Sequence, residues 1–75
     1  MTATLKPLAP GTEVATIGTF YRAEVVSSEI TERGSRKAVL RWTEDIPAAD
    51  VRKGEEFIWV QVPGRTPHFI VTANN

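Results

Sequence analysis

The sequence predicts an all-β fold: a small antiparallel β-sandwich or barrel of about five to six strands, with a mobile N-terminal arm and one long polar loop. Three observations carry this. Apolar residues alternate with polar ones in Ala38, Leu40 and Trp42 against Lys37, Arg41 and Thr43, the period of a strand with one buried face. Short apolar runs are separated by Gly and Pro punctuation throughout. No stretch shows the 3,4,3 apolar spacing of a long amphipathic helix.

Each element follows in order. Residues Met1 to Thr12 carry Pro7, Pro10 and Gly11 without apolar period and read as a flexible arm, with one β domain over residues 13–75. Val14, Ala15 and Ile17 form a short first strand that Gly18 ends. Thr19 to Val26 is the second, with Tyr21, Ala23 and Val25 on the core face and Arg22 and Glu24 opposite; Phe20 and Val26 fall on the polar-leaning face. Ser27 to Arg36 is the longest polar segment and reads either as a long hairpin tip, with Gly34-Ser35 as a two-residue turn, or as a loop disordered in the free protein; a loop that orders against a partner is favoured over a merely floppy one. Glu44-Asp45-Ile46-Pro47 breaks the third strand, and Ile46 to Arg52 has room for one helical turn. Phe57 to Val62 is apolar on both faces, Phe57 and Trp59 on one and Ile58, Val60 and Val62 on the other. Such a strand is either central with both faces covered, or leaves an apolar face for a partner. Pro63-Gly64 is a type II turn signal, and the chain is expected to return as a hairpin through Phe69-Ile70-Val71.

Composition bounds the function. Seventy-five residues make a single domain, and one of this size buries only ~60% of the surface its unfolded chain exposes. There is no cysteine, hence neither a disulfide nor a thiolate zinc site. No window approaches the ~18 apolar residues of a membrane span, and the N-terminus lacks a signal-peptide apolar core, so no membrane partner is expected. Nine basic residues balance nine acidic ones, leaving no global field for nucleic acid. The distribution is uneven, however. Arg33, Arg36, Lys37 and Arg41 form a basic stretch; Glu44, Asp45, Asp50, Glu55 and Glu56 form an acidic one. They read either as two solvated surfaces or as complementary edges for head-to-tail docking of copies into a ring. Phe57 or Trp59, whichever is exposed, would supply the apolar contact.

Chemistry does not stand out. His68 is the sole histidine, the serines lie in a polar segment without a Gly-x-Ser-x-Gly elbow, and no glycine-rich phosphate loop or metal-ligand spacing is present. No catalytic residue, metal or cofactor is expected. An alternative is a small barrel, of Src-homology-3-like or oligonucleotide-binding-fold-like type, that binds single-stranded nucleic acid or a peptide through Tyr21, Trp42 and Trp59 with Arg22, Arg41 and Lys53. Tyr21 and Trp42 fall on the core face, which disfavours nucleic acid.

The second half also resembles the small head–tail joining proteins of tailed bacteriophages, the family of the lambda head–tail attachment protein. Ala38-Val39-Leu40-Arg41-Trp42 resembles that family's strand before an acidic loop, and Asp50-Val51-Arg52-Lys53-Gly54-Glu55-Glu56-Phe57 its loop and Lys-Gly step. Glu55 stands where the family often has Asp. His68-Phe69-Ile70-Val71 resembles the closing strand, and Ile17-Gly18-Thr19-Phe20-Tyr21 fits the same layout. The likeness spans roughly residues 14–73, without the N-terminal helical segment usual in the family. It implies a non-enzymatic virion assembly protein at the head–tail interface. The free chain would be a monomer that becomes part of a ring on assembly, with portal or connector and tail proteins as partners.

Overall fold

The computed structural model describes residues 5–73. Five strands, β1 (Glu13–Thr16), β2 (Arg22–Ile30), β3 (Arg36–Trp42), β4 (Glu56–Gln61) and β5 (Phe69–Ala73), form one sheet in the order β4-β3-β2-β1-β5, every pairing antiparallel. A 3₁₀ turn at Pro47–Ala49 lies between β3 and β4. The fold is therefore all-β, as the alternation predicts.

The sheet curls around one apolar core of Val14, Ala23, Val25, Ala38, Leu40, Trp59 and Phe69, with Leu8, Trp42 and Phe57 packed against it. The two end strands, β4 and β5, share no backbone pairing; aromatic side chains bridge them instead. The Trp59 and Phe69 rings lie 5.1 Å apart between centroids, Phe57 and Phe69 5.7 Å, and Trp42 stacks on Phe57 at 4.5 Å. Each such contact contributes roughly 0.5–1.5 kcal/mol beyond area burial. This seam corrects the expected hairpin between β4 and β5. The Pro63-Gly64 turn does form, with Gly64 at φ 80° and the Arg65 N–H donating to the Val62 carbonyl at 3.2 Å. The chain then crosses the open end of the sheet and pairs with β1, which inserts Phe69 beside Trp59 and covers Val14 and Ala15 from the other side.

Ser27 to Arg36 is not a loop. β2 and β3 stay paired from Ala23↔Trp42 to Ile30↔Arg36. The turn is tighter than a loop but longer than the two-residue Gly34-Ser35 form. The Gly34 N–H donates to the Thr31 carbonyl (2.9 Å) and the Thr31 N–H to the Ser35 carbonyl (2.8 Å), with Gly34 at φ 80°. That is a three-residue hairpin connection whose last residue needs positive φ, a place glycine fills without strain. A bulge between Val25 and Ser27 shifts the side-chain phase. Beyond it Ser28 and Ile30 take the inner phase and Ser27 and Glu29 the outer one, which hides the strand from a strict alternation test.

Two further expectations are corrected. Leu5 to Thr12 is no free arm. Leu8 packs on the core, Thr12 is buried, and the Gly11 N–H donates to the Val25 carbonyl while the Val25 N–H donates to Thr12, both at 2.8 Å. The apolar period is absent because these residues bond across the β2 bulge rather than along a regular strand. The remainder of the expected arm, residues 1–4, lies outside the described residues. Tyr21 is half-buried and outside the core cluster. It belongs to the β1–β2 turn, where its carbonyl accepts from the Thr16 N–H at 3.0 Å and its own N–H donates to Thr16 Oγ1 at 2.9 Å.

Candidate interaction surface

The outer face of β2, β3 and β4 is ordered in rows by the strand register. One row is Glu24, Arg41 and Glu56. Arg41 donates to Glu56 Oε2 at 2.8 Å and to Glu24 Oε1 at 3.3 Å. The bond and charge of Glu56, reinforced by Glu24, hold the guanidinium above its ordinary range. The next rows place Val39 beside Ile58, then Glu29, Lys37 and Val60. Ile58, Val60 and, just past β4, Val62 are 61%, 49% and 43% exposed. These three form an aliphatic stripe along an edge strand, the kind of exposed apolar patch that on small domains commonly marks an interaction site.

The register also decides which backbone groups are open. Trp42 exchanges hydrogen bonds with the β4 side, donating to the Glu55 carbonyl at 3.0 Å and accepting from the Gly54 N–H at 2.8 Å, whereas the Thr43 N–H donates to Arg22 on the β2 side at 3.1 Å. By the alternation of an antiparallel ladder, Phe57, Trp59 and Gln61 bond to β3. The N–H and C=O of Glu56, Ile58 and Val60 point to the open edge. A shallow depression of about 520 Å³ beside that edge is lined by Val60, Gln61, Val62, Arg65, Thr66 and His68.

The charged residues that suggested complementary edges do not form two edges. Arg33 lies exposed at the hairpin tip. Arg36 faces inward, its guanidinium 5.4 Å from the centre of the Trp59 ring and donating to the Lys6 carbonyl at 3.3 Å, and burial pushes its pKa down. Lys37 is on the outer face opposite Glu29. Of the acids, Glu44 accepts from the backbone N–H (3.1 Å) and Nε (3.4 Å) of Arg22, and Glu56 is held by Arg41. Asp45 accepts from the Lys53 N–H at 2.8 Å, which ties down the loop around Ile46. Asp50 ends the 3₁₀ turn in a left-handed conformation, and Glu55 is exposed. Intrachain pairing of Arg41 and Glu56 thus brings the basic and acidic stretches together.

The aromatic candidates are also resolved. Trp59 is 6% exposed and Phe57 half-buried in the aromatic seam, so neither offers a free face. The stripe Ile58, Val60 and Val62 was visible in the sequence as the second apolar face of the strand. Its exposure follows because the larger aromatic rings bury more area when they take the inner side. Ile17, Phe20, Ile30, Ile70 and Val71 are the other large apolar side chains exposed among the described residues, Phe20 at φ 57°. His68 is exposed and its carbonyl accepts from the Ile17 N–H at 3.0 Å. Among the described residues no group of three His, Cys, Asp or Glu is placed to hold a metal ion, and no helix is long and apolar enough to cross a membrane.

These features define a small all-β domain of five antiparallel strands with an apolar-faced edge strand. Comparison with protein-family models, curated proteins and solved structures finds no match.

Proposed function

We propose that this protein is a non-enzymatic assembly subunit that docks on protein partners through the outer face of β4. The observation that carries the proposal is the exposed Ile58, Val60 and Val62 stripe on an edge strand whose opposite face packs on the core through Phe57 and Trp59. Isolated exposed ion pairs are worth only about 0–1 kcal/mol, so apolar burial has to supply most of the docking energy. The resemblance of residues 14–73 to phage head–tail joining proteins supports a specific form of this role. In it, copies assemble as a ring between a portal or connector and a tail, at the head–tail interface of the virion. Binding of single-stranded nucleic acid is the less favoured reading. Arg41 is engaged by two carboxylates, Arg36 faces inward, and Trp42 and Trp59 belong to the core packing, which takes these four residues out of a basic aromatic groove.

The test is completion of tailless phage heads by added protein, scored as head–tail joining in electron micrographs. Wild-type protein is expected to restore joining and the Ile58→Lys, Val62→Lys double variant to fail while keeping its fold. Micromolar binding of single-stranded DNA or RNA, with no effect on joining, would overturn the proposal.

A further inference from the structure

We propose that the free protein pairs with a second copy of itself through the β4 edge, as an antiparallel two-fold contact centred on Trp59. The inference rests on the same strand as the docking role, but it concerns the isolated protein and is tested without any particle.

The edge invites a strand. β4 contains no Pro, no Lys and no bulge, the usual devices that keep open edges from pairing. Its outward N–H and C=O groups at Ile58 and Val60 are matched in a two-fold arrangement, where the same patch must complement itself. With the axis at Trp59, each Ile58 lies opposite the Val60 of the other copy, and each such pair exchanges both backbone hydrogen bonds. The aliphatic side chains then meet on one outer face.

Backbone accounting and charge select this register. Centring the axis on Val60 would match all three aliphatic residues, but only the central pair would avoid the Val62 carbonyl, which already accepts from the Arg65 N–H at 3.2 Å and from Gln61 Nε2 at 3.1 Å, whereas centring it on Trp59 leaves both central pairs free of it and meets it only at the ends. Centring it on Ile58 would set the charged Glu56 against Val60. Centring it on Trp59 places Glu56 of one copy opposite Val62 of the other, next to Arg65 at the turn. Arg65 has no carboxylate partner among the described residues, and Glu56 uses only Oε2 to hold Arg41. The two Glu56 side chains sit at opposite ends of the contact, so like charges do not meet. The depression between Val60 and His68 leaves the side of the edge open to the incoming strand.

Sedimentation velocity of the full chain across micromolar to millimolar concentration, at low salt, is the experiment. A reversible dimer is expected. Ile58→Lys is expected to weaken it at least about tenfold, since a charged side chain on an edge strand opposes pairing. Arg65→Glu and Glu56→Lys are each expected to weaken self-association by about tenfold, because each homodimer then sets like charges together twice. Mixing the two variants is expected to restore association, because the heterodimer contains only opposite charges at both ends. Near-ultraviolet circular dichroism of the tryptophans checks that each variant folds. Should Glu56→Lys fail that check, amide hydrogen exchange of the wild type supplies the reading: the Ile58 and Val60 amides are expected to gain protection with concentration. A protein that stays monomeric throughout, variants that dimerise as wild type, a folded mixture that does not recover, or amides whose exchange is independent of concentration would each overturn the proposal.

Discussion

β3 and β4 are neighbours of similar length, yet they read very differently. β3 is central, hydrogen-bonded on both sides, and its inner side chains Ala38 and Leu40 are buried while Lys37 and Arg41 face outward. β4 is bonded on one side only and is apolar on both faces. The central strand has its outer face completed within the chain, by Arg41 between Glu24 and Glu56. The edge strand has its inner face completed and its outer face left open. Place in the sheet, more than composition, decides which apolar side chains serve stability and which are free for contacts.

The largest test of this contrast lies within β4. Trp59→Ala is expected to cost about 3–5 kcal/mol in urea unfolding, because it empties space between Phe69, Arg36 and the core. The adjacent Ile58→Ser is expected to change monomer stability by no more than about 0.5 kcal/mol, as for a surface site. Similar losses at the two positions would show that the outer stripe is packed after all. A loss of that size at Trp59 comes close to the ~5–15 kcal/mol total of ordinary domains, so the variant is expected to be partly unfolded.

Gly34→Ala tests whether the β2–β3 extension is a rigid hairpin. Open space surrounds a Cβ there, so the cost comes from φ 80° alone, about 1–2 kcal/mol. The melting temperature reports it, and an unchanged value would mean that the tip contributes no ordered structure. Ser28→Ala has the opposite sign. The Ser28 hydroxyl is buried with no hydrogen-bond partner, so its removal is expected to be neutral or to raise stability by up to about 1 kcal/mol. Clear destabilisation in thermal unfolding would contradict that.

The smallest effect belongs to the outer charge row. Arg41→Gln is expected to lower the melting temperature slightly at low salt, with the difference from wild type vanishing as salt screens the exposed carboxylates. Glu56 and Glu24 raise the Arg41 pKa, so the row favours the protonated native state. That contribution is present below the unfolded-state pKa and is lost only as pH rises through the folded-state value, in strongly alkaline solution. The wild-type minus Arg41→Gln difference is therefore expected to be flat across neutral pH, and a change between pH 6 and 8, roughly the histidine range, would implicate a group other than Arg41.

The sequence by itself determined the all-β class, the inward side of β3, the strand at β4 and the turn at Pro63-Gly64. Each rests on a local cause, a two-residue period or a proline–glycine pair, which needs no distant partner. The bulge at Val26 and the docking of residues 8–12 were not legible, because both depend on hydrogen bonds between Gly11, Thr12 and Val25 across more than ten positions of chain. The same holds for the candidate surface. Sequence showed two apolar faces on β4 and two runs of opposite charge. Only the tertiary structure decided that the rings of Phe57 and Trp59 turn inward to meet Phe69, leaving the aliphatic face to solvent, and that Arg41 and Glu56 pair within one chain. Local patterning specifies how a strand alternates. Which of two apolar faces is buried depends on what arrives across the core, here β5 paired with the far side of β1 and carrying Phe69 to Trp59.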